Sequence, residues 1–280
     1  MNLSVIIPTR NRPASCARLL KALLPQVSGC NCDGNIEVIV IDDHSSPPSR
    51  KQLSAQISEC SIDAVHFISR ESSGGPSAAR NSGIAKASGD LLIFLDDDCL
   101  PEPSFLSETV RLHNKYPNVL LINGNLRALH NDSISRFWFY YYDHAFNCGV
   151  GEIYQIQRVS SGNFSVKRSL LKSFDPLFDE TLTSREDYDL YLRLHQAGIP
   201  VFKADSIRAT IECRRTMREL LKQRAWYERG EIDLRRKYGA AFLREVQLGQ
   251  YPLPSLAFIH IYLMLYIARK IRSFRHMVLQ

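Results

Sequence analysis

No apolar run in this sequence reaches the roughly 18 residues of a membrane-spanning helix, which excludes an ordinary multi-span membrane protein. The opening MNLSVIIPTRNRP has no basic stretch followed by a long apolar one, so no signal peptide is expected. Cysteines are seven, an odd and scattered set at 16, 30, 32, 60, 99, 148 and 213. Without an export signal they read as reduced thiols, and a cytoplasmic setting is expected. Cys30 and Cys32 have no second Cys/His pair at zinc spacing, so no structural zinc is expected. Metalloprotease His spacing, the nucleophile-elbow pattern, the Walker motif and the dinucleotide fingerprint are all missing. So are repeats and low-complexity segments.

What is present is an ordinary globular balance over 280 residues, 45% apolar and 23% charged. The net charge of +6 is unevenly placed. From Arg214 onward there are 14 Lys/Arg against 5 Asp/Glu, whereas residues 1–213 hold 21 against 24. An acidic-leaning body with a basic tail points to an anionic partner for the tail, or to a solvated helical face.

Strand and helix patterns alternate through the first half. LSVIIP (3–8), IEVIVIDD (36–43), AVHFIS (64–69) and DLLIFLDDD (90–98) read as strands. Helices are expected over 13–27, around 49–60 and over 77–88. Uninterrupted apolar runs such as Leu91 to Leu95 suit strands covered on both faces. The expected class is α/β, a mostly parallel central sheet with helices on both faces and a C-terminal helical tail. In the second half, 158–171 reads as a strand passing into a helix, 186–198 as a helix, 199–204 as a strand and 216–239 as a basic helix.

Two strands end in carboxylates, Asp42–Asp43 and Asp96–Asp97–Asp98. In open α/β sheets ligands sit beyond the carboxyl ends of the strands, so both clusters should face one crevice. Adjacent carboxylates repel unless something neutralises them, and Mg2+ or Mn2+ is the simplest neutraliser. In an extended segment Asp96 and Asp98 point one way and Asp97 the other. Few protein ligands suffice if substrate phosphates complete the shell, which points to a metal–diphosphate complex; a solvated acidic turn is the bland alternative. Glu186–Asp187 opens a helix, as capping carboxylates or as a general base. Gly74–Gly75 before a helix offers backbone N–H groups to a phosphate.

Five blocks, SVIIPTRNR, VIVIDDHSS, GGPSAARNSGIAKASGDLLIFLDDDC, SSGNFSVKRSLL and SREDYDLYLRLHQAGIPV, come in the order found in glycosyltransferase family 2, which the chain resembles over roughly residues 3–230. The resemblance implies a GT-A fold and inverting transfer of a sugar from a nucleotide-sugar donor, most often a UDP-sugar, to a hydroxyl of a glycan or lipid-linked acceptor. By motif position it implies that Pro8, Thr9 and Arg12 line the nucleotide pocket and that Asp43 meets the base. Arg80 would approach the nucleotide or its diphosphate. Asp96 and Asp97 would lie by the ribose and metal, with Asp98 the metal ligand. Asp187 would be the catalytic base with Glu186 beside it, and Gly162 and Asn163 would border the donor sugar and acceptor. Many relatives carry a His where this chain has Glu212 in ATIECRRTMRELL; a carboxylate there is a competent Mg2+ or Mn2+ ligand, or it faces away.

The expected organisation is a catalytic domain over 1–213, with a nucleotide-binding part to about 125 and an acceptor part from about 126. A basic tail over 214–280 follows, with an apolar segment at 256–268. That segment and the basic residues after it suit contact with an anionic membrane surface, or packing on the catalytic domain or a second subunit. The aromatic run with Phe137, Trp138, Tyr140, Tyr141 and Tyr142 suits a stacking wall for an acceptor, or internal packing. No nucleic-acid recognition module accompanies the basic tail, and no nucleic-acid partner is expected. Two other functions fit less well: a catalytically silent nucleotide-sugar-binding module, and a sugar nucleotidyltransferase, whose Gly-rich first loop PTRNRPAS lacks.

Overall fold

The computed structural model describes residues 1–30, 34–60, 63–137, 139 and 149–239. Cys32, Cys148, Trp138, Tyr140 to Tyr142 and the 256–268 segment lie outside the described residues.

Strands β1 (Leu3–Thr9), β2 (Ile36–Asp42), β3 (Val65–Ser69) and β4 (Leu91–Leu95) alternate with helices α1 (Pro13–Gly29), α2 (Pro47–Ser58) and α3 (Gly75–Lys86). They form a parallel set in the order β3-β2-β1-β4. All five residues of β4 are fully buried, as expected of a strand covered on both faces. Pro8 sits near the end of β1 opposite Ile41, beyond the Leu3–Ile6 stretch that pairs with β4. Its missing N–H therefore breaks no bond to β4. Helix α1 starts with Pro13 in the first turn and buries Leu19, Leu20, Leu23 and Leu24. In α3, Gly83 lets the helix lie close on the sheet: a Cβ there would fall 2.6 Å from Ile6 Cγ2.

After β4 come β5 (Cys99–Pro101), α4 (Phe105–Lys115), β6 (Leu121–Ala128), β7 (Tyr154–Ile156) and β8 (Asn163–Lys167). A short 3-10 turn (Arg168–Lys172), α5 (Glu186–Gln196), β9 (Val201–Ile211) and α6 (Met217–Tyr238) follow. Strand β8 joins β4 antiparallel, and β6, β9 and β5 extend the sheet with β7 on β9. The parallel pattern therefore stops at β4. Beyond it the described pairings are antiparallel, because β8 comes back along β4 and is not reached by a helical crossover. Phe94 of β4 stacks on Phe164 of β8 with ring centroids 4.5 Å apart, and Phe178 closes on both edgewise.

The chain falls into two compact units. The first comprises Met1–Arg127, Gly149–Leu182 and Glu186–Ile211 and holds the core of the sheet. The second includes Thr183–Arg185 and the segment from Glu212 on. Within it, α6 opens with a reciprocal cap between Thr216 and Glu219, and Gly230 lets the helix meet Ser184. Arg185 lies over the Tyr227 ring at 4.2 Å and pairs with Glu231 at 2.8 Å.

Candidate active site

The carboxyl ends of β1, β2 and β4 meet in the first unit. Asn11, in the left-handed region at φ 55°, donates its N–H to Ser45 Oγ and accepts from Ser46 N, both at 2.8 Å. That tie joins the loops after β1 and β2 and sets Arg12 at the start of α1. Strand β4 ends at Leu95, before the aspartates, and Cys99 N donates to Asp96 O at 2.9 Å to close a turn. The alternation expected of an extended segment is therefore lost. Asp97 and Asp98 both reach Arg12, at 2.6 and 2.8 Å, while Asp96 reaches Arg80 at 2.6 Å. Thr9 Oγ1 donates to Asp97 at 2.7 Å, and Asp43 N donates to Thr9 O at 2.9 Å. Burial pushes the Asp97 carboxyl up to about 6; Arg12 pulls it down, and the neighbouring Asp98 pushes it up again. Burial works to lower the Arg12 guanidinium, but Asp97 and Asp98 outweigh it and the net shift is upward.

Asp43 is buried and held by its own surroundings. It accepts from Ser73 Oγ, Gly74 N and Gly75 N, each at 2.9 Å, and pairs with Arg70 at 3.2 Å. The glycine N–H groups that looked suited to a phosphate are thus turned onto a carboxylate. Gly75 stands at φ 78°, which an L side chain rarely adopts. Nothing in the local sequence signals this link, because the partners are about thirty residues apart.

The other acidic pair opens α5. Glu186 is 4% exposed and pairs with Arg80 at 2.7 Å. Asp187 is half-buried and accepts from Tyr188 N at 2.8 Å and Ser161 N at 3.4 Å. Ser161 Oγ also lies 3.5 Å from Glu186 Oε1. Gly162 O accepts from Asp96 N at 3.3 Å, so the 160–163 loop adjoins the aspartate turn. Asn163 donates to the carbonyls of Asn125 and Ile207, at 3.2 Å each, tying β8 to its neighbours. Thr9, Arg12, Arg80, Asp96, Asp97, Asp98, Gly162, Glu186 and Asp187 thus form one bonded neighbourhood, with Asp43 joined through Thr9. Glu212 belongs to the second unit. Sequence reasoning missed Ser161 and the aromatic seat of Arg80, since neither carries a motif of its own.

Among the described residues no cluster of three or more His, Cys, Asp or Glu is arranged to hold a metal ion. The aspartate turn nevertheless brings the hard carboxylate oxygens of Asp97 and Asp98 together on one cationic group, Arg12. This donor set fits Mg2+ or Mn2+ when substrate phosphates supply most of the shell. No helix among the described residues is long and apolar enough to cross a membrane.

A family model described as "Glycosyl transferase family 2" matches residues 4–174. Pre-mycofactocin glycosyltransferase of Mycobacterium tuberculosis is 27% identical over 233 residues, 81% of this chain and 46% of that protein. The chain thus spans about half the length of that relative. The Escherichia coli UDP-Glc:alpha-D-GlcNAc-diphosphoundecaprenol beta-1,3-glucosyltransferase WfgD is 26% identical over 196 residues, 68% of each chain. Among solved structures, mannosyltransferase PcManGT from Pyrobaculum calidifontis, in complex with GDP-Man and Mn2+, superposes with a TM-score of 0.61 at 15% identity. That superposition covers 97% of this chain and 74% of the other, and shows a shared GT-A-type fold.

Proposed function

The chain belongs to glycosyl transferase family 2, and we propose that it moves a sugar, with inversion, from a nucleoside-diphosphate donor to a hydroxyl. The donor is a UDP-sugar and the acceptor a glycan or lipid-linked saccharide. One observation carries the reading: Arg80 joins Asp96 of the aspartate turn to Glu186 of the α5 start, linking a cation-suited carboxylate cluster to a candidate base. The acceptor class is supported by the diphosphoundecaprenol substrate in the name of the E. coli relative.

Asp187 is the base. It is half-buried, whereas Glu186 is buried against Arg80, so Asp187 is the better placed to meet an incoming hydroxyl. It takes the proton as the acceptor oxygen attacks the anomeric carbon, and the nucleoside diphosphate leaves from the opposite face. Asp98, with Asp96 beside it, would hold Mg2+ or Mn2+, and a cation bound there would supply Lewis-acid stabilisation of the charge on the departing diphosphate. Thr9, Arg12 and Asp97 border the diphosphate and ribose, Pro8 the base, and Gly162 and Asn163 the donor sugar; Asp43, filled by Ser73, Gly74, Gly75 and Arg70, holds the loops beside the base in place.

The basic segment carries a second contact. Arg218, Lys222, Arg229 and Arg236 are exposed at helical spacing along α6, a stripe suited to an anionic membrane surface on which a lipid-linked acceptor is presented. A full-length protein that stays in the supernatant with anionic vesicles at low salt ends that part of the reading.

The test is release of nucleoside diphosphate from a panel of UDP- and GDP-sugars with and without Mg2+ or Mn2+. Cation-dependent release from one donor, lost in Asp187→Asn, supports the assignment. Binding of a nucleotide-sugar without any release favours the silent binding module, a reading motivated by Glu212 standing where many relatives carry a His.

A further inference from the structure

Arg80 is 2% exposed, and its two terminal nitrogens are committed to carboxylates 90 residues apart in sequence. Nη2 donates to Asp96 Oδ1 at 2.6 Å and Nη1 to Glu186 Oε1 at 2.7 Å. Its guanidinium carbon lies 5.4 Å from the centroid of the Phe178 ring. Such a side chain has no exposed face to offer a diphosphate, which is the contact that family resemblance alone implies for it.

The seat of Arg80 is itself fixed. The next residue, Asn81, donates to Phe178 O at 2.8 Å and accepts from Phe178 N at 3.2 Å, pinning the ring against which Arg80 rests. Phe178 packs in turn on Phe94 and Phe164 of the sheet. Ala78, Ala79 and Gly83 are buried on the inner face of α3, so the helix has little room to shift. At the far end, Asp96 is tied by its backbone to Gly162, and Ser161 touches both Glu186 and Asp187.

We infer that Arg80 is a positioning residue for the transfer step: by gripping Asp96 and Glu186 together it fixes the start of α5, and with it Asp187, against the aspartate turn. This rests on the transferase reading above. Glu186 is then part of the clamp and not a second base. Reacting groups tolerate little displacement, and an error of about 1 Å can cost about a hundredfold in rate. A lysine supplies one compact charge and cannot span both carboxylates as the planar guanidinium does.

The test compares Arg80→Lys, Glu186→Gln and the double variant with the wild-type enzyme, on whichever nucleotide-sugar the wild type turns over. Arg80→Lys is expected to lower kcat by about thirtyfold while the donor KM stays within about threefold. Glu186→Gln keeps Arg80 and its seat intact, cuts one arm of the clamp and should show the same split. The double variant should be no more than about threefold worse than the poorer single one, because both break one link. If Arg80→Lys fails to fold, Glu186→Gln decides alone, and an unchanged kcat there overturns the inference. A rise of tenfold or more in donor KM with kcat kept in Arg80→Lys also overturns it, by returning Arg80 to the diphosphate. Losses that multiply in the double variant overturn it too. A wild type that releases nucleotide from no donor removes the transferase reading and this inference together, which separates the two failures.

Discussion

Two strands of this protein lead into aspartates, and the two clusters have different characters. At the end of β2, Asp42 is fully buried and accepts from Ser45 N, Arg50 Nε and Ser69 Oγ between 3.1 and 3.3 Å. Asp43 beside it is filled by Ser73, Gly74, Gly75 and Arg70. Backbone amides and hydroxyls supply most of these donors, so the cluster is a finished joint between loops. At the end of β4, Asp97 and Asp98 share one guanidinium that is 32% exposed, and the Asp97 carboxyl is held near 6 by burial. This second cluster has carboxylate oxygens and a solvent-accessible guanidinium at its rim. The same sequence signal, an apolar strand running into carboxylates, gives a cluster filled by fixed donors in one place and a cluster shared with a single half-exposed arginine in the other. What separates them is the number of fixed donors that the surrounding loops bring.

The widest separation between the two clusters should come from Asp98→Asn, with Asp187→Asn as its partner at the α5 start. Each is expected to cut turnover roughly a hundredfold or more while leaving the protein folded, read by diphosphate release and circular dichroism on the same samples. Near-normal turnover of either would remove the distinction. Asp42→Asn should do the reverse. It sets an amide among donors that need an acceptor, and the urea midpoint should fall by the equivalent of about 2–3 kcal/mol. A stable Asp42→Asn would make the β2 cluster as adaptable as the other.

A control lies away from both clusters. His113 of α4 is buried with Nε2 2.8 Å from Ser165 Oγ, and burial, helped by Lys167, lowers its pKa from 6.5 to about 3. The unfolded chain therefore binds the extra proton between these values. The stability contributed by the neutral ring is complete above 6.5 and is lost progressively as pH falls toward about 3. Between pH 7 and pH 5 the wild type should lose about 2 kcal/mol that His113→Gln does not lose, by urea titration at both pH values. Equal losses would discard that account. The smallest effect belongs to Gly162→Ala, whose added Cβ would stand 3.3 Å from Asp96 Oδ2. Stability should stay within about 1 kcal/mol and turnover should fall less than about tenfold. A loss as large as that of Asp98→Asn would show that the turn tolerates no adjustment.

Much of the first half was legible because its strands are uninterrupted apolar runs closed by turn residues. Leu3–Thr9, Ile36–Asp42 and Leu91–Leu95 form where β-branched and leucine-rich segments predict them. Strands β5, β6 and β7 and helix α4 were not anticipated. β5 and β7 are three residues long, too short for a period, and β6 mixes Asn123, Gly124 and Asn125 into a buried strand. Asn123 is tolerated there because it exchanges hydrogen bonds with Ser160. The aspartate turn was misread as extended, since three like residues in a row carry no signal of where a strand stops. Asp96, Asp98 and Asp187 stood out as carboxylates, but the bridge that joins two of their neighbourhoods did not, because Arg80 looks like any arginine on a small-residue helix.

Composition and pattern alone determined that this chain buries a layered α/β core and brings acidic strand ends to one edge of it, because apolar periodicity dictates which faces leave water. Only the folded arrangement decided which carboxylates are filled by fixed loop donors and which share a single arginine. That choice depends on donors arriving from distant segments, at separations of tenths of an ångström that no local run of residues encodes.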